Sequence, residues 1–89
     1  MNETMKRAYV MLHLEIASWQ LKDDGFATQS IIGSVISSLK GQKSNYVIYN
    51  ETKRLILEAK KILQLTDISV EDLILVLEQI QNDFEHKYR

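Results

Sequence analysis

Ile68-Ser69-Val70-Glu71-Asp72-Leu73, and the apolar stripe that follows it to Tyr88, decide the fold. Ser69 is placed to cap free backbone N–H groups, Asp72 sits three residues on, and Ile68 can staple against Leu73. Downstream, Val70, Leu73, Leu77, Ile80 or Gln81, Phe84 and Tyr88 recur every three or four residues. This spacing predicts a capped amphipathic helix, and the absence of proline lets the rest of the chain follow the same rule.

Working backwards, Tyr46-Val47-Ile48-Tyr49 has strand propensity but no strand to pair with, so it reads as the first turn of a helix. That helix continues through Thr52, Leu55, Ile56, Ala59, Ile62 and Leu63 and stops at Thr66 and Asp67. Between Thr28 and Leu39, the doublets Ile31-Ile32 and Val35-Ile36 repeat every four residues. A four-residue repeat favours helix over the strand that β-branched residues and the mid-segment Gly33 would otherwise suggest. Gly41 closes this segment. The first helix is expected from Glu3 to Lys22, capped by Asn2 or Thr4, with Met5, Ala8, Tyr9, Leu12, Ile16 and Trp19 inward. Val10, Met11 and Leu14 are expected to widen that inward face. Four helices joined by short loops predict an all-α, antiparallel four-helix bundle spanning residues 1–89 as one domain, with neighbours in the chain packed together.

Composition agrees with a small packed domain. Of 89 residues, 45% are hydrophobic and 26% charged, which excludes a disordered chain. Without cysteine, neither disulfides nor thiolate-bound metal can hold the core, so packing or self-association must. The polar N-terminus reads as no signal peptide, and no apolar run approaches the roughly 20 residues of a membrane span. A cytoplasmic location is expected.

Chemistry-bearing residues are few. His13 lies beside the inward stripe of its helix and reads as a boundary histidine. Asp83-x-x-His86 shares one helix face, but a bundle di-metal site needs two such pairs and two more carboxylates. Asp23-Asp24 falls in a turn and Glu71-Asp72 in a helix's first turn, where the helix dipole alone favours acids. Ser30, Ser34, Ser37 and Ser38 have no histidine set beside them. No catalytic residue, metal ligand or cofactor is expected, and the reading is of a protein that is not an enzyme.

Charge is the more informative pattern. From Lys40 to Lys61 six basic residues (Lys40, Lys43, Lys53, Arg54, Lys60, Lys61) outnumber Glu51 and Glu58. From Asp67 to Arg89 six acids outnumber Lys87 and Arg89, although the whole chain carries only −1. Lys53 and Lys60 are seven residues apart, as are Arg54 and Lys61, so the four share one side of helix 3. With Tyr46 and Tyr49 as aromatic anchors, they form the candidate partner-binding face. The plain alternative is a solvated helix face paired with Glu58 and with acids of helix 4. The opposed charges of helices 3 and 4 predict that the two pack side by side.

Asn45-Tyr46-Val47-Ile48-Tyr49-Asn50, with Leu65-Thr66-Asp67-Ile68-Ser69-Val70-Glu71-Asp72-Leu73, resembles the immunity proteins of pediocin-like (class IIa) bacteriocins. The resemblance covers the second half of the chain and rests on pattern. It implies a four-helix bundle acting without catalysis from the bacterial cytoplasm. The implied partner is a membrane sugar-permease engaged by a bacteriocin. Members of that family commonly extend past helix 4, so here the implied recognition surface is helices 3 and 4 themselves. The competing reading is a small helical regulator, antitoxin or adaptor that binds protein or, less readily, nucleic acid. Self-association into a homo-oligomer is compatible with either.

Overall fold

A computed structural model describes residues 1–19, 26–42 and 50–87, apart from the side chains at 26, 86 and 87. Among these residues there are four α-helices: α1 (Glu3–Ala17), α2 (Phe26–Leu39), α3 (Asn50–Leu65) and α4 (Val70–Lys87). They form an antiparallel four-helix bundle with the core between all four.

The start of α4 follows its sequence signal. The Asp72 backbone N–H donates to Ser69 Oγ at 3.1 Å, and the Leu73 N–H donates to the Ser69 carbonyl at 3.0 Å. Ile68 and Leu73 are both buried in the core, as the staple requires. Leu73, Val76, Leu77 and Ile80 are fully buried and Phe84 nearly so. Val70, expected in the stripe, is instead 38% exposed, and Val76 takes the inward place. Tyr88 lies outside the described residues.

α2 is helical despite its β-branched content because its packing is extensive. Ile31, Ile32, Val35 and Ile36 are all buried, between α3 on one side and α4 on the other. Burial of this kind outweighs weak local propensity. Ser34 Oγ satisfies itself by donating to the Ser30 carbonyl at 3.0 Å. Gly33 has a packing role: a Cβ there would stand 3.3 Å from Gln81 Nε2, which donates to the Gln29 carbonyl at 3.0 Å. The missing side chain lets an α4 amide reach the α2 backbone. The helix ends in a Schellman turn, with Gly41 at φ 75°, Gly41 N–H on the Ser38 carbonyl and Gln42 N–H on the Ser37 carbonyl.

α1 begins with Asn2, whose Oδ1 accepts from the Met5 N–H at 2.8 Å. It ends at Ala17, short of the Lys22 expected from sequence. Ser18 is the reason: its hydroxyl donates to the Glu15 carbonyl at 2.6 Å and competes with continued helix. Residues 20–25, including Asp23, Asp24 and Gly25, lie outside the description.

The order of helices around the bundle corrects the sequence expectation. α4 packs against α2 and α1, and α3 packs against the same two. The chain neighbours α3 and α4 scarcely touch, and neither do α1 and α2, so each of these pairs occupies diagonal corners. The turn between α3 and α4 explains how four residues span a diagonal. Thr66 Oγ1 donates to the Ile62 carbonyl at 2.7 Å and accepts from the Ile68 N–H at 3.3 Å. Burial of Ile68 then carries the turn across the end of the core. The basic and acidic helices therefore do not lie side by side, and no ion pair joins them among the described residues.

Leu77→Ala should lower the unfolding free energy by about 2–5 kcal/mol through the lost burial and the cavity left behind. Ser69→Ala should cost about 1 kcal/mol through the lost cap. Urea unfolding followed by far-UV circular dichroism reads both, and equal midpoints for Leu77→Ala and wild type would remove α4 from the core.

Candidate functional site

Lys53, Arg54, Lys60 and Lys61 are all exposed on α3. Thr52, Leu55, Ala59 and Ile62 form the buried side of the same helix, so the cations stand on the face turned away from the core. At their centre is a residue that charge counting misses. Leu57 lies four and three residues after Lys53 and Arg54, and three and four before Lys60 and Lys61. On a helix those are its four nearest surface neighbours. Leu57 is 64% exposed. The sequence signal was available: the buried stripe at 52, 55, 59 and 62 leaves position 57 opposite the core.

The four cations differ in their surroundings. Arg54 lies 3.9 Å from Glu51, and Lys61 lies 3.4 Å from Glu58. Both are contacts within one helix with exposed cations, worth a few tenths of a kcal/mol by the usual standard for such pairs. Lys53 and Lys60 have no ion-pair partner among the described residues. The pairing with Glu58 expected from sequence is present, while among the described residues none of the four cations pairs with an acid of α4. Tyr46 and Tyr49, the proposed aromatic anchors, lie outside the described residues.

A second cluster lies on the seam between α1 and α4. The Tyr9 hydroxyl donates to Asp83 Oδ2, and Gln79 Nε2 donates to Asp83 Oδ1 at 3.0 Å. The His13 ring stacks between Tyr9, at 5.6 Å and 24°, and Phe84, at 5.3 Å and 29°. His13 is half-buried, the boundary histidine the sequence suggests. Asp83 is therefore committed to Tyr9 and Gln79, and the side chain of His86 lies outside the description. No group of three or more metal-ligating side chains occurs among the described residues. The hydrogen bond to Asp83, partial burial and the nearby carboxylate charge together push the Tyr9 phenol up from 10.0 to about 12. The cluster cross-links two helices that are far apart in sequence.

Val10, Met11 and Leu14 do not widen the core face of α1. They are 54%, 38% and 65% exposed, and they line two shallow grooves. The core takes only Ala8, Leu12 and Ile16 fully, with Met5 and Tyr9 at its edge. No helix among the described residues is long and apolar enough to cross a membrane.

Comparison of the chain with protein-family models, with curated proteins and with solved structures returns no significant match.

Because the folded-state phenol titrates above the unfolded value of about 10, its hydrogen bond contributes stability that is complete below pH 10. That contribution is lost as pH rises towards about 12. Tyr9→Phe should therefore cost about 1 kcal/mol at pH 7. The gap to wild type in urea midpoint should narrow between pH 10 and pH 12. A gap that stays constant over that range would mean the hydroxyl contributes nothing through Asp83.

Proposed function

We propose that this protein is a non-catalytic binding module that docks through the basic face of α3 onto an acidic protein surface. The observation that carries the reading is Leu57, 64% exposed within a ring of four cations. An exposed leucine framed by charge has the anatomy of a docking spot: an apolar centre that gains by burial and a charged rim that steers the encounter. Among the described residues, Arg54 and Lys61 are tied by weak contacts within their own helix and Lys53 and Lys60 by none, which leaves the rim open to a partner's carboxylates.

The specific role in this proposal is immunity of the pediocin-like type. The protein acts from the cytoplasm on a membrane sugar-permease engaged by a bacteriocin. Support comes from the sequence pattern of residues 45–50 and 65–73 and from the small antiparallel bundle that carries the face. Tyr46 and Tyr49 belong to the proposed surface by sequence position.

Expression in a bacteriocin-sensitive strain tests the role. Resistance should appear with the wild-type protein and disappear when Lys53, Arg54, Lys60 and Lys61 are all reversed to Glu. Circular dichroism should meanwhile stay helical, because all four positions are exposed. Leu57→Ala should weaken protection while changing stability by less than about 0.5 kcal/mol. Absence of any resistance, together with DNA binding that collapses with added salt, would replace this reading with a nucleic-acid regulator.

A further inference from the structure

The outer face of α1 carries a different signal from the α3 face. Val10, Met11 and Leu14 form one contiguous exposed apolar strip. Lys6, Arg7, Val10 and Met11 line a groove of about 380 Å³. Met11, Leu14, Glu15, Ser18 and Glu58 line another of about 430 Å³, between α1 and α3. The two share Met11, so they run together as one trough along α1. The trough is polarised: cationic at its N-terminal end through Lys6 and Arg7, anionic at its C-terminal end through Glu15 and Glu58.

We propose that a second copy of this chain occupies the trough, its α1 laid antiparallel about a two-fold axis at Met11. Met11 lies four residues after Arg7 and four before Glu15, midway between the opposite charges. A two-fold axis there sets Arg7 of each copy against the carboxylate end of the other. It also packs the two Val10–Met11–Leu14 strips on each other at the centre. The contact is isologous and closes on itself, so it yields a dimer and no fibre.

The charge pattern selects this occupant over others. A membrane or nucleic acid presents anions throughout and would meet Glu15 and Glu58 with like charge. A uniformly basic partner would be repelled at Lys6 and Arg7. Arg7 and Glu15 have no ion-pair partner among the described residues. Among the described residues the Glu15 carboxylate accepts one hydrogen bond, from the Ser18 hydroxyl at 3.0 Å. Lys6 holds an exposed i,i+3 contact to Glu3 at 3.9 Å and the half-buried Glu58 one to the exposed Lys61 at 3.4 Å, both weak enough to redirect. A face one helix wide falls at the small end of stable interfaces, so the dimer is expected to form in a concentration-dependent way.

Sedimentation velocity at low salt over a rising concentration series is the test. Wild type should shift from monomer towards dimer. Leu14→Glu should remain monomeric throughout, with an unchanged helical spectrum and melting curve, since Leu14 is exposed. Arg7→Glu and Glu15→Arg should each weaken association at least about tenfold. An equimolar mixture of those two variants should associate again, because opposite charges then meet at both ends of the two-fold contact. A wild type that stays monomeric at the highest concentration overturns the proposal. So does a Leu14→Glu variant that still dimerises, or a mixture no better than either variant alone. Monomeric wild type that pellets with anionic phosphatidylserine vesicles would overturn it in favour of a lipid surface.

Discussion

The simultaneous packing of α4 against α1 and α2 is the constraint on which the rest of the structure depends. Leu73, Val76, Leu77 and Ile80 reach full burial only because two helices meet them from different sides. The same arrangement leaves α3 to close the remaining side of the core, again on α1 and α2. Without cysteine, a chain of 89 residues has little besides this apolar packing to offset its conformational entropy. Placing each helix between two others, and not in a simple hairpin series, gives every apolar stripe two walls.

Polar contacts refine that packing at its seams. Gln81 bonds to the α2 backbone where Gly33 leaves room, and Asp83 receives Tyr9 from α1 and Gln79 from its own helix. Both sit in the second half of α4, one towards each neighbour. They set how α4 is rotated between α1 and α2, since a turn of the helix would lose both at once. Apolar contact alone is tolerant of such a rotation; directional hydrogen bonds are not.

Much of the fold was legible because caps and periodicity are local. Ser69, Ile68 and Leu73 announced α4, Asn2 was one of two offered caps for α1, and Gly41 marked the end of α2. What was not legible depends on neighbours. Val10, Met11 and Leu14 are as apolar as Leu12 and Ile16, and helical spacing alone does not say how wide an arc the bundle covers. The opposed charges of α3 and α4 suggested a side-by-side pair, yet surface charge contributes too little to override where Ile68 must be buried. The cationic quartet at 53, 54, 60 and 61 was readable from spacing. Leu57 falls outside the apolar stripe of α3, and counting charges alone gives an uncharged residue among the cations no role.

The diagonal placement of chain neighbours also bears on how the protein comes into being. α1 and α2 are synthesised first, yet they scarcely touch, and α3 supplies only one of the two walls each needs. Neither of the early helices has a complete partner set until α4 has been made. Until α4 is present, α1 and α2 each keep one open apolar side, exposed to whatever else is in solution. Truncation ahead of Ser69 would leave Leu12 and Ile32 without the α4 wall of their core, a state open to chaperones and proteases.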